Sequence, residues 1–173
     1  MSMEKTTSTV ARVGQRLRAQ HADICGRLRA LGRAGPLDRD ALVHEVLRWC
    51  AAHEAVEGAY LHSVMGNAAA REGEQEALGL ALGSLQRLGG ESPSFDELLA
   101  TITTAMRRHF DSEERELLRA DLSPQQCGEA HRALDIVDEM ATQSGGPFTA
   151  ADDFATMRRT ARQQVALLAA QVR

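Results

Sequence analysis

Aromatic side chains are scarce in this chain: one Trp, one Tyr and four Phe amount to 3% of 173 residues. Ala, Leu, Arg and Glu take their place, side chains that lose little rotamer freedom in a helix. No stretch of useful length carries a strand signal. Cysteine is almost as rare. Cys25, Cys50 and Cys127 are odd in number and show no CxxC spacing, which argues against a disulfide framework or a zinc cluster and makes a reducing cytoplasm the simplest home. An excess of basic charge is also missing: the formal net charge of -4 argues against nucleic acid as the main partner. "RLRAQHADICGRLRALGR" is locally basic, but its charges alternate with Leu and Ile, as on a solvated helix face. No apolar run approaches membrane-spanning length, and "MSMEKTTSTVARVGQ" has no apolar h-region. A soluble cytoplasmic protein without a membrane partner is expected.

Hydrophobic residues make up 43% and charged residues 25%, the balance of a globular chain able to bury a core without staples. The periodicity predicts a first helix from Ser8 to Gly32, with Val10, Val13, Leu17, Ile24, Leu28 and Leu31 at helical spacing. "GRAGPLD" ends it, and Asp38 is placed to cap a second helix over Arg39 to Met65. A third covers Ala68 to Leu88 and stops at "GGESPS". Ser94 and Glu97 form the pattern of a capping box for a fourth, Phe95 to Arg119. Two more follow: Pro124 to Thr142, capped by Ser123, and Thr149 to Val172 after "SGGPFT". The expected fold is all-α: an antiparallel four-helix bundle over 1–122, with two additional C-terminal helices over 123–173. That trailing pair either covers a bundle face or supplies a dimer contact; the sequence leaves this and the oligomeric state open.

"HEAVEGAYL" (53–61) and "HFDSEEREL" (109–117) each set a Glu four residues after a His, the first pair being His53 and Glu57, the second His109 and Glu113. Positions i and i+4 share one helix face, so both side chains can reach one cation, the imidazole from one level and the carboxylate from the next. One pair alone means little. With 24 acidic residues in 173, about one histidine in seven has an acid at that offset. The duplication carries more weight. His21 stands 32 residues before His53 and is followed by Ile24, Leu28 and Leu31; Gln75 stands 34 before His109 and is followed by Leu78, Leu82 and Leu85 at the same offsets. The chain reads as two similar helical hairpins, each ending in His-x-x-x-Glu.

"QHADICGRL", "HEAVEGAYL" and "HFDSEEREL" resemble the motifs of the hemerythrin-like HHE cation-binding family. That family's pattern is His, His-x-x-x-Glu, His, His-x-x-x-Glu on four helices around a non-haem di-iron centre. The resemblance covers about residues 8 to 122. It implies non-haem iron, two ions per chain, with His21, His53 and His109 as imidazole ligands and Glu57 and Glu113 as bridging carboxylates. Glu54 matches a glutamate that follows the histidine in some members and is a further candidate. The third helix departs from the pattern, offering "REGEQEAL" where a histidine is expected. Gln75 fits the repeat, but an amide oxygen is a poor iron ligand. Glu76 or Glu74 after a helix rotation, an open position filled by water, or a single-metal site are the alternatives.

The remaining candidates have simpler readings. His44 and His62 each lie nine residues from His53, half a helical turn to the opposite side, and are expected to be non-ligands. His131 falls beyond the bundle, Trp49 and Tyr60 read as packing residues, and Cys25 as an inert thiol. Asp152 and Asp153 suit a helix start. The resemblance implies binding of, or reaction with, a small oxidant: O2, H2O2 or NO. Oxygen ligands near position 75 would favour oxidation over reversible carriage, hence peroxide or oxygen chemistry. A di-iron oxidase or oxygenase acting on an organic substrate, and an iron or redox sensor signalling through the C-terminal helices, are the alternatives. Whether the protein is an enzyme, catalase-like or oxidase, stays open.

Overall fold

The structure, a computed structural model, describes residues 2–65, 68–142 and 146–171. All regular structure among them is helical. Helix α1 is Ser2–Arg33. Helix α2 is Pro36–Val56 and continues through a π-helical turn, Glu57–Leu61, into a last α turn, His62–Met65. Helix α3 is Ala68–Leu88, α4 Phe95–Leu117, α5 Pro124–Thr142 and α6 Phe154–Gln171. α1 packs against α2 and α4, and α3 packs against α4 and α2. Short connections make the chain neighbours antiparallel and close a four-helix ring. The C-terminal hairpin wraps one side: α5 lies against α1 and α2, and α6 against α2 and α3.

The heptad-like face of α1 forms the floor of the core. Val13, Leu17, Ile24, Leu28 and Leu31 are all at most 1% exposed, while Arg12, Arg18, Asp23, Arg29 and Arg33 of the same helix are exposed, as the 3.6-residue period requires. α4 behaves alike, burying Phe95, Leu99, Ile102, Met106, His109, Phe110, Glu113 and Leu117 on one stripe. α2 does not. Every residue from Trp49 to Val56 is buried, because α1, α3, α5 and α6 surround it.

Several helix ends differ from the expected ones. Pro36 occupies the first turn of α2 behind Gly35, so Asp38 lies inside the turn and does not cap it. Ser94 precedes α4 without a side-chain cap, because its backbone has φ -88° and ψ 0° and not the extended shape that aims a serine hydroxyl at the turn. Ser123 does form a reciprocal box: the Gln126 N–H donates to Ser123 Oγ at 3.2 Å, and the Ser123 N–H to Gln126 Oε1 at 2.9 Å. The last helix starts later than Thr149, where Asp153 accepts the Thr156 N–H at 2.7 Å; Val172 lies outside the described residues. After α3, Gly89 adopts φ +76°, the left-handed conformation that terminates helices and favours glycine.

Candidate metal centre

Three imidazoles enter the bundle core from α1, α2 and α4, and each is held from behind. His21 Nδ1–H donates to Glu114 Oε1 at 2.8 Å. His53 Nδ1–H donates to Gln20 Oε1 at 3.3 Å, and the Gln20 amide is itself fixed to Leu134 O at 2.6 Å and Asp138 Oδ1 at 3.0 Å on α5. His109 Nδ1–H donates to Glu74 Oε2 at 2.9 Å. With Nδ1 committed, Nε2 of each ring is directed inward, the orientation that partners behind a histidine impose on metal ligands.

The two motif glutamates meet these nitrogens. Glu57 Oε1 lies 2.9 Å from His53 Nε2 and 3.6 Å from His21 Nε2, while its Oε2 accepts the Gln75 amide at 3.2 Å. Glu113 Oε2 lies 3.5 Å from His21 Nε2, and its Oε1 lies 2.9 Å from His109 Nε2. Each carboxylate thus gives one oxygen to the His21–His53 side and the other to the opposite side. One ligand atom from each of His21, His53, Glu57 and Glu113 can be chosen so that all lie within 4.8 Å of one another. His109 joins through Glu113.

These atoms fit a cation because so little else satisfies them. Nε2 of His21 and His53, Oε1 of Glu57 and both oxygens of Glu113 are buried without an aligned hydrogen bond. Such groups cost about 1–3 kcal/mol each when left unpaired, more when charged. Mixed imidazole and carboxylate donors suit iron or manganese.

The electrostatics follow from crowding two acids into a dry core. Burial alone would raise the Glu57 carboxyl, but the His53 and His21 imidazoles outweigh it and hold the group well below the usual range. Burial, then the neighbouring Glu57 charge, push Glu113 well above that range. Burial disfavours the His109 imidazolium, yet its bond to Glu113 and the nearby carboxylates raise it to about 9. Burial keeps His53 and His62 neutral by lowering both.

The other sequence candidates lie around the centre. Gln75 is buried, its amide bridging Glu57 Oε2 and His62 Nε2 at 3.2 and 3.3 Å. Glu74 reaches His109 from behind and takes the Arg71 guanidinium at 2.6 Å. Glu76 faces outward, its side chain 61% exposed and paired with Arg158 at 2.9 Å. Glu54 is buried on the far side of α2, where Arg158 Nε pairs with it at 2.8 Å; burial, opposed by that arginine, raises its carboxyl to about 7. His44 contacts the Thr149 carbonyl at 2.7 Å, outside the centre. His131 is exposed, and Cys25 is half-buried with its thiol raised by burial. His62 differs from expectation. It is 2% exposed and faces Gln75, because the π turn breaks the α-helical count that would have turned it away.

Several residues of the site carry no motif. Gln20 orients His53 and Glu114 orients His21, and only their adjacency to His21 and Glu113 hints at it. Phe110 stacks on His21 with ring centroids 3.9 Å apart and 5° between planes, and stands edge-on to His53 at 5.6 Å. Arg71, 3% exposed, ties α3 to α4 through Glu74, Ser112 and Glu116. Beside the centre, a cleft of about 620 Å³ is lined by Glu54, Gly58, His62, Gln75 and Glu76, with Arg162 of α6 opposite.

In comparisons with known proteins, the family model for the hemerythrin HHE cation binding domain matches residues 13–120. Neither the curated proteins nor the solved structures gave a match.

Proposed function

Since the chain belongs to the hemerythrin HHE cation-binding family, we propose that it is a non-haem di-iron protein that binds or reacts with a small oxidant, O2 or H2O2 before NO. One observation carries this reading: Glu113 divides its oxygens between His21 and His109, while Glu57 gives one oxygen to His21 and His53 and turns the other to the Gln75 amide. That arrangement would let Glu57 and Glu113 be shared between two cations.

The ligands on one side are His21 and His53; on the other, His109. Two ferrous ions, when bound, supply one electron each to an O–O unit. The chain's own part is preparation. Gln20, Glu114 and Glu74 fix the three rings and leave Nε2 for the metal. Phe110 walls one side and keeps water from the ring faces. The cleft next to Gln75 is the route by which a small molecule reaches the centre, and its polar lining of Glu54, Glu76 and Arg162 suits a small polar oxidant better than an apolar organic substrate.

The test is to load the full chain anaerobically with Fe(II), count iron per chain, and record visible absorption after air, peroxide or azide. Two irons with oxo-bridged ferric bands are expected. One iron, or none, would overturn the dinuclear reading.

A further inference from the structure

We infer that His62, outside both His-x-x-x-Glu motifs, supplies the imidazole that α3 lacks and is a ligand to the second cation, beside His109, Glu57 and Glu113. The inference rests on the di-iron reading above and adds a residue that the family pattern does not provide.

It begins with the backbone. At about 100° per residue, a residue five positions beyond Glu57 would be rotated about 140° away from it. Glu57–Leu61 is instead a π turn, and the His62 N–H bonds back to the Glu57 carbonyl. A hydrogen bond spanning five residues puts one more residue into the turn, so His62 follows Glu57 by roughly one full turn and returns to its side. π turns are rare, and as single-turn bulges they recur at functional sites.

The side chain completes the argument. His62 is 2% exposed, and its Nε2 lies 3.3 Å from the Gln75 amide nitrogen. That nitrogen also donates to Glu57 Oε2 at 3.2 Å, the oxygen turned away from His21 and His53. His62 Nε2 therefore accepts, and its lone pair faces the amide that neighbours Glu57 Oε2. Its other nitrogen, Nδ1, is buried with no partner. The Gln75 amide sits where the motif calls for an imidazole, and the chain brings an imidazole against it from the neighbouring helix. With His62, the second half offers two imidazoles and two carboxylate oxygens, matching the first.

The experiment is metal counting on the full chain, with Fe(II) or Co(II) as the probe. Wild type should hold two ions, His62→Leu one, and Gln75→Leu two. His62→Leu with two ions at unchanged affinity would overturn the inference and leave the di-iron reading standing. A wild type holding one ion would overturn both. Circular dichroism checks that His62→Leu keeps its helices. Should it not fold, the Co(II)-loaded wild type decides: the His62 ring resonances should be shifted and relaxed as strongly as those of His53. Ring signals at their metal-free positions would overturn the assignment.

Discussion

The two His-x-x-x-Glu pairs have the same internal geometry and opposite surroundings. His53 and Glu57 on α2, like His109 and Glu113 on α4, bring Nε2 and Oε1 to 2.9 Å. α4 is amphipathic and buries one stripe; α2 is enclosed on every side over Trp49–Val56. The ring on α2 is steadied by Gln20, itself 1% exposed and anchored to α5. The ring on α4 is steadied by Glu74, whose side chain is 50% exposed. Ligand spacing is thus a property of one helix, whereas the rigidity behind it comes from whatever packs outside.

The largest effect should come from the ligands themselves. His53→Ala and His109→Ala should each lose metal, read as iron per chain; full iron in both variants would refute the assignment. Next comes the outer face of α2. Arg158→Ala leaves Glu54 buried without its cation, and removal of one partner from a buried pair costs about 3–5 kcal/mol. Urea unfolding of the metal-free chain at pH 8 should record it, with a smaller loss at pH 5, where Glu54 is protonated. An unchanged midpoint at pH 8 would mean that α6 does not brace α2.

The pH dependence separates the two sides further. The Glu54 carboxyl is raised from 4.5 to about 7 in the folded chain, so the folded state binds the extra proton. Stability of the metal-free chain should fall as pH rises from 4.5 to 7, and Glu54→Gln should remove that slope. His109 is raised from 6.5 to about 9; its contribution is complete below 6.5 and is lost as pH rises through 9. His109→Gln should flatten only this upper window.

Smaller still are the residues behind the rings. Partners of ligating histidines are worth about 10–100-fold in metal affinity. Gln20→Leu, at the buried end of the comparison, should fall near the top of that range. Glu74→Gln, at the half-exposed end, should fall near the bottom. Competition with a chromogenic chelator gives both values; equal losses would erase the distinction between the helices. His44→Ala should change nothing at the centre, measured the same way.

Spacing made the bundle and the clustering of His21, His53, Glu57 and Glu113 readable in advance. The i, i+4 pairs and the repeated offsets after His21 and Gln75 are local, and local periodicity survives folding intact. The unread parts are tertiary. Nothing in "EGAYLH" announces a π turn, so a straight helical count sent His62 to the wrong side. Gln20 and Glu114 look like ordinary polar neighbours until α5 comes to rest beside the first and α1 beside the second. The helix starts at Pro36 and Phe154 were misplaced by a few residues because several residues able to cap stand close together.

A rod walled in along its whole circumference has no outward side on which sequence can drift. In a saturation scan, α4 should tolerate change with a three-to-four-residue rhythm, as its stripe alternates with solvent. From Trp49 to Val56, α2 should instead give an unbroken block of intolerance, the two alanines before His53 included, since even an added methyl there has nowhere to go.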